Sequence, residues 1–215
     1  MNRFTILLAG AIRPTPALRD AIAGSRVIAA DGGIAHAEAL DIVPELWVGD
    51  FDSADKALTH SFAAVPRETF SRDKDRTDGE LAIDAAIDRG ARTILLVGAF
   101  GGPRTDHAFM HLILALRYAG RGIAIAMFDG NEHAVPLHPG RQRIDMKPDT
   151  DFSLLKFSDL AGLSITGARW PLEDVALPFA SILTQSNRAL GPIEITLRTG
   201  AAILLFQAQP APPVA

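Results

Sequence analysis

Acidic side chains recur in the first half of the chain at the ends of short apolar runs. Asp31 opens Asp31-Gly32-Gly33 directly after Val27-Ile28-Ala29-Ala30. Asp50 and Asp52 lie in Gly49-Asp50-Phe51-Asp52-Ser53 after Leu46-Trp47-Val48. Asp106 lies in Gly101-Gly102-Pro103-Arg104-Thr105-Asp106-His107, shortly after Ile94-Leu95-Leu96-Val97. A further group, Asp73-Lys74-Asp75-Arg76-Thr77-Asp78, opens a helical pattern instead. Carboxylates crowded together repel one another unless a cation holds them, and hard oxygen donors suit Mg²⁺. Glycine N–H groups beside them can cradle phosphate, and an arginine in a glycine loop, Arg104, is suited to the same anion. The types and spacing read as a Mg²⁺–polyphosphate site.

Each motif alone supports blander readings. Asp50 and Asp52 are i and i+2 of an extended segment, so both can reach one metal, but Asp and Ser are also common in solvated turns. The pair fits nucleotide-sugar transferases as well. It nearly fits haloacid-dehalogenase-type phosphatases, which want Thr or Val where this chain has Ala54. Asp31-Gly32-Gly33 can be a tight strand-to-helix turn. Asp78, Glu80 and Asp84 can be acids favoured by a helix N-terminus. No Gly-x-x-x-x-Gly-Lys-Ser/Thr loop and no dinucleotide fingerprint occurs. His107 and His111 are four apart on a helical pattern, and with no third ligand at a supporting spacing they read as surface or packing residues.

The elements that must position these groups follow from periodicity. Short apolar runs over 5–9, 26–30, 46–48, 93–98 and 123–128 suit a parallel sheet buried on both faces. Helical patterns lie between them, over 16–23, 34–40, 54–62, 77–89 and 105–119. The expected fold is α/β: an N-terminal doubly wound, mostly parallel sheet domain over 1–132. Ligands of such sheets bind outside the carboxyl ends of the strands. From about 137 to 215 the pattern changes to short runs over 143–146, 152–157, 163–166, 193–197 and 201–206, separated by Gly, Pro, Asp and Asn. These read as a small antiparallel β-sandwich, with Arg198-Thr199-Gly200 as a hairpin turn between the last two.

Composition bounds the class. At 215 residues, 48% hydrophobic and 21% charged, the chain is an ordinary globular protein. A net charge of −4 argues against nucleic-acid binding and against a polybasic membrane anchor. There is no cysteine, so disulfides, thiolate metal sites and thiol nucleophiles are excluded. The apolar run near the N-terminus reads as a first buried strand rather than a signal peptide or membrane span, and a cytoplasmic enzyme is expected.

Taken together, the blocks resemble the thiamine pyrophosphokinase (thiamine diphosphokinase) family. The pattern runs Ala30-Asp31-Gly32-Gly33, Val48-Gly49-Asp50-Phe51-Asp52-Ser53, Lys74-Asp75-Arg76-Thr77-Asp78-Gly79-Glu80-Leu81-Ala82 and Gly101-Gly102-Pro103-Arg104-Thr105-Asp106-His107. It continues with Gly167-Ala168-Arg169-Trp170-Pro171-Leu172 and Thr184-Gln185-Ser186-Asn187. The resemblance implies an α/β domain followed by a smaller thiamine-binding β-domain, and a homodimer with the thiamine site where the subunits meet. It implies Mg²⁺-dependent transfer of a pyrophosphoryl group from ATP to the thiamine hydroxyl, giving thiamine diphosphate and AMP. Carried over by position, Asp50, Asp52, Asp78 and Asp106 form the catalytic, metal-holding centre. Asp31, Gly32 and Gly33 line the nucleotide or substrate pocket. Lys74, Thr77 and Arg104, with the Gly101-Gly102 loop, meet the nucleotide or its phosphates. Trp170, Ser186 and Asn187 hold thiamine, the tryptophan by stacking on a cationic ring. The chain departs from the pattern at Ala54, over 178–181 and at Arg188, which bears on the thiamine contacts and not on the metal centre. The alternatives are a Mg²⁺-dependent nucleotide-sugar transferase or phosphatase, or a non-catalytic nucleotide-binding module.

Overall fold

The computed structural model describes residues 2–51, 56–69 and 76–208. It divides into two compact units, Met1–Gly130 and Asn131–Ala215.

The first unit is a parallel sheet with helical crossovers. Its strands are β1 (Arg3–Leu7), β2 (Arg26–Ala30), β3 (Leu46–Gly49), β4 (Arg67–Thr69), β5 (Thr93–Val97) and β6 (Ala124–Phe128). They lie in the order β6-β5-β1-β2-β3-β4, with every pairing parallel. Buried apolar side chains along β1, β2, β3 and β5 account for this, since a parallel sheet is covered on both faces. The chain winds outward from β1 to β4, then returns to β5 on the other side of β1. The β1–β5 pair is therefore the topological switch point of the sheet.

The helices are α1 (Pro16–Ile22), α2 (Ala35–Leu40), α3 (Lys56–Ser61), α4 (Asp78–Asp88) and α5 (Thr105–Ala119). Thr15 caps α1 and Thr77 caps α4, each hydroxyl accepting a backbone N–H at 3.2 Å. The helix expected over 34–40 is split: a 3₁₀ turn over Asp31–Ile34 leads into α2. Of the helix expected over 54–62, residues 54 and 55 lie outside the described residues. Strand β4 has no counterpart among the expected elements. Among the described residues no helix is long and apolar enough to cross a membrane.

The second unit is antiparallel. Its strands are β7 (Glu132–Leu137), β8 (Gly140–Ile144), β9 (Asp151–Lys156), β10 (Leu160–Ala168), β11 (Leu172–Leu177), β12 (Asn187–Leu197) and β13 (Ala202–Gln207). The long β12 pairs along one edge with β10; along the other it meets β9 near its start and β8 near its end. One core cluster draws on Leu154 of β9, Leu163 and Ile165 of β10, Ile193 and Ile195 of β12 and Leu204 of β13.

One expectation is corrected here. Arg198-Thr199-Gly200 does not close a hairpin, because β13 pairs with β7 and β9 rather than with β12. The turn instead packs on the start of β10: the Arg198 and Thr199 amides donate to the Ala161 carbonyl at 3.0 and 3.1 Å. The local turn signal was real, but the pairing partner was chosen by the core.

The switch point demands close backbone approach. A Cβ on Gly33 would lie 2.2 Å from the Leu7 carbonyl oxygen. Gly33→Ala should therefore destabilise the fold by about 1–3 kcal/mol, as overpacking does, read as a lowered midpoint in urea unfolding.

Candidate active site

Three strand ends meet at the switch point. Beyond β1 and β5 the backbone pairing continues, with Leu8 N–H donating to Val97 O at 2.7 Å and Gly10 N–H to Gly98 O at 2.8 Å. Beyond β2 the chain turns at Asp31 with a left-handed φ of 42°. The Asp31 carbonyl accepts the Trp47 indole N–H of β3 at 2.9 Å. A Cβ on Gly49, which closes β3, would come within 3.4 Å of the Asp31 Cα, so the two acidic turns lie side by side.

A cavity of about 600 Å³ opens there. Of the candidate residues, Asp31, Thr77, Asp78, Gly101, Arg104 and Asp106 line it. Gly32, Gly33, Gly102 and Asp50 are outside its lining. Gly33 serves instead to seat the 3₁₀ turn on β1, and Asp50 follows β3 half-buried. Asp52 and Lys74 lie outside the described residues.

The electrostatics are set by helix starts and one arginine. Asp78 is the first residue of α4 and Asp106 falls in the first turn of α5, where backbone N–H groups favour negative charge. Arg104 grips Asp106 with both arms, Nε to Oδ1 at 2.9 Å and Nη2 to Oδ2 at 2.7 Å. That guanidinium holds the Asp106 carboxyl well below the usual carboxylate range, with help from the His107 backbone N–H. Asp106 is thus an anion rather than a proton acceptor. The cavity carboxylates are hard donors of the kind Mg²⁺ takes. Among the described residues, however, no three acidic or imidazole groups are gathered closely enough to hold a metal ion.

His111 contributes to the cavity wall, as do Gly10, Gly98 and Met110. None of these was assigned to the site from sequence. For the glycines the available signal was their place directly after an apolar run. For His111 there was only the spacing to His107, whose ring is 6.4 Å away. Its Nδ1 bonds the Ala99 carbonyl at 3.0 Å. A carbonyl only accepts, so Nδ1 carries the proton.

In the second unit the structure brings Asn187 against Trp170, with Ser186 as its chain neighbour. Trp170 stands 54% exposed just beyond β10. The Asn187 amide clasps its backbone, accepting from Trp170 N at 3.2 Å and donating to Trp170 O at 2.8 Å. Ser186 has a left-handed φ of 60°, and its N–H donates to Ser153 Oγ at 2.9 Å. The Arg169 guanidinium lies 5.0 Å from the centre of the Trp170 ring. The asparagine amide is thus largely committed to fixing an exposed aromatic.

A parallel α/β unit with an acidic cleft of small-molecule size at its switch point, followed by an antiparallel unit presenting an exposed tryptophan, defines a two-domain α/β enzyme. The thiamin pyrophosphokinase catalytic domain matches residues 22–127, and the thiamin pyrophosphokinase vitamin B1 binding domain matches 141–204. The chain belongs to the thiamin pyrophosphokinase family and is an enzyme of that family. It is 29% identical over 153 residues to thiamine pyrophosphokinase of Bacillus subtilis strain 168, covering 69% of this chain and 71% of that one. The crystal structure of the Bacillus subtilis enzyme superposes with a TM-score of 0.85 at 24% identity, covering 97% of this chain and all of that one, 100%. That of the Geobacillus thermodenitrificans enzyme gives 0.81 at 25%, covering 98% and 99%.

Burial holds the His111 imidazole below its ordinary value of 6.5. The unfolded chain therefore takes up a proton at higher pH than the folded one, and stability is lost as the pH falls below that value. The melting temperature should drop between pH 7.5 and 5.5, and His111→Asn, which keeps a donor for Ala99, should flatten that part of the curve.

Proposed function

We propose that the chain transfers a pyrophosphoryl group from ATP to the hydroxyethyl oxygen of thiamine in a Mg²⁺-dependent reaction, yielding thiamine diphosphate and AMP. The observation that carries this reading is the cleft at the β1–β5 switch point, lined by Asp31, Asp78, Arg104 and Asp106. Its volume of about 600 Å³ falls in the range of small-molecule sites.

The chain's own residues position and neutralise. Arg104 offers a planar fork to phosphate oxygens once it releases Asp106. The first turns of α4 and α5 present backbone N–H groups to the same anion. Asp50, Asp52, Asp78 and Asp106 are the oxygen donors that would hold Mg²⁺, which when bound draws charge from the phosphate oxygens. Gly101, in the cleft lining with Asp31, lets the triphosphate approach the backbone closely. Thr77 caps α4 beside Asp78, and Lys74 supplies a cation to the phosphates. The thiamine oxygen attacks the β-phosphorus in line, AMP leaves from the opposite side, and a cleft carboxylate takes the hydroxyl proton.

Trp170 stacks on the cationic thiazolium. Arg169 already occupies one face of that ring, so the substrate takes the other. Asn187 acts by holding Trp170, and Ser186 completes the same corner. The acting form is a homodimer. Exposed Trp170, Phe179, Ile182, Leu183 and Leu190 in the second unit support this, because so much apolar surface suits an interface. Dependence on ATP and Mg²⁺ fits a cytoplasmic enzyme.

Phosphorus NMR of the protein with ATP, Mg²⁺ and thiamine should show AMP and thiamine diphosphate appearing together, only when thiamine is present, with no ADP or free phosphate. ATP hydrolysis equal with and without thiamine would refute the reaction. Asp50→Asn and Asp78→Asn should each lower kcat by at least 100-fold, as the loss of one electrostatic group in a preorganised site does, with unchanged far-ultraviolet circular dichroism. Thiamine should quench part of the tryptophan fluorescence, and Trp170→Ala should abolish that response while Trp47 still reports the fold.

A further inference from the structure

Two residues other than glycine at the acidic strand ends hold left-handed backbone, Asp31 with φ 42° and Phe51 with φ 58°. A side chain disfavours that conformation, so something in the fold must enforce it. Both residues touch the same group. Trp47, only 1% exposed, donates its indole N–H to the Asp31 carbonyl at 2.9 Å. Its ring meets the Phe51 ring edge-on, with centroids 4.9 Å apart and planes at 88°. Phe51 directly follows Asp50, so its backbone angle bears on the turn that carries the Asp50 carboxylate.

The indole is itself held from the far side. Arg67 of β4 is the register partner of Trp47, and its guanidinium lies 4.9 Å from the Trp47 ring centre and 5.5 Å from that of Phe51. Arg67 Nη2 donates to the Thr59 carbonyl at 3.0 Å, which anchors it to the end of α3. The Trp47 N–H of the main chain donates to Pro66 O at 2.9 Å. The ends of β2 and β3 and the start of β4 thus converge on one side chain. A cation over the ring, an aromatic edge against it and a hydrogen bond from its rim fix it in three directions.

We propose that Trp47 is a positioning residue for catalysis: its indole ties the turn bearing Asp31 to the turn bearing Asp50, with Arg67 as its clamp. The role rests on the reading of these carboxylates as the Mg²⁺–nucleotide site. It touches no substrate. It sets the separation and aim of two acidic turns that come from different strands and share no sequence neighbour. Aliphatic packing at position 47 would fill the same core but would leave the Asp31 carbonyl without its donor.

The test separates positioning from packing. Trp47→Phe keeps an aromatic ring and loses the N–H, whereas Arg67→Gln, at an exposed residue, removes the clamp without opening the core. Trp47→Phe should lower kcat by about 10- to 100-fold, as loss of a group that orients metal ligands does. It should raise KM for Mg²⁺–ATP and leave KM for thiamine unchanged, with a melting temperature within about 4–8 °C of wild type. Arg67→Gln should shift kcat and nucleotide KM in the same direction by less. Trp47 and Trp170 are the chain's two tryptophans, so Trp170→Phe leaves Trp47 as sole emitter. Its emission should then change saturably on adding Mg²⁺ with α,β-methylene-ATP, which cannot be cleaved at the bond the reaction breaks. Wild-type turnover with kinetically unaltered Trp47→Phe and Arg67→Gln variants would overturn the positioning role alone. Should Trp47→Phe fail to fold, unaltered Arg67→Gln kinetics would overturn it. A wild-type protein with neither thiamine-dependent AMP nor a Trp47 response to the nucleotide would overturn the reading of the site and the positioning role with it.

Discussion

Everything in the catalytic unit depends on the parallel pairing of β1 with both β2 and β5. Parallel strands deliver all their carboxyl ends to one edge, so turns far apart in sequence share a cleft without any contact between their side chains being needed. The reversal of winding at β1 leaves space between the turn after β2 and the turn after β5. That space costs close backbone packing below it. The Gly10 amide meets Gly98 O, and Cβ atoms on Gly33 and Gly98 would lie 2.2 Å from carbonyl oxygens of β1 and the residue after it. Glycine stands at these points because any side chain would prise the strand ends apart.

Asp31, Asp78, Arg104 and Asp106 gather charge around that space. Acidic groups alone would oppose one another and would repel a triphosphate. Their placement at helix starts, and the presence of Arg104, moderates both effects. In the structure Arg104 neutralises Asp106, a pairing that an incoming phosphate competes with directly. Further from the cleft, α4 and α5 are joined by Tyr118, whose hydroxyl donates to Asp84 at 2.5 Å. Burial and that carboxylate push the phenol up to about 12, so it stays a donor at any working pH.

The antiparallel unit solves a different problem, anchoring the backbone that carries an exposed aromatic. Asn187 does so through the backbone of Trp170, and Ala189 two residues on is fully buried in the core of the unit. The polar clasp is therefore an extension of a well-packed strand.

Periodicity and turn chemistry determined much of this protein without tertiary information. The five main strands of the α/β unit, its capped helices and the acidic turns after β2, β3 and β5 are all written locally, because apolar runs, threonine caps and Asp-Gly steps act over a few residues. The family resemblance rested on those same turns. Tertiary structure decided what local sequence does not encode. β4 is three polar residues, Arg67-Glu68-Thr69, visible as a strand only because β3 lies beside it. β7 carries Pro136, which weakens any local strand signal. The turn at 198–200 reads as a hairpin until the core assigns β13 to β7 and β9. The hydrogen bond from Trp47 to Asp31, the clasp of Asn187 on Trp170 and the place of His111 in the cleft wall have the same origin. Each joins residues on separate elements, and only the packing of those elements brings the partners within reach.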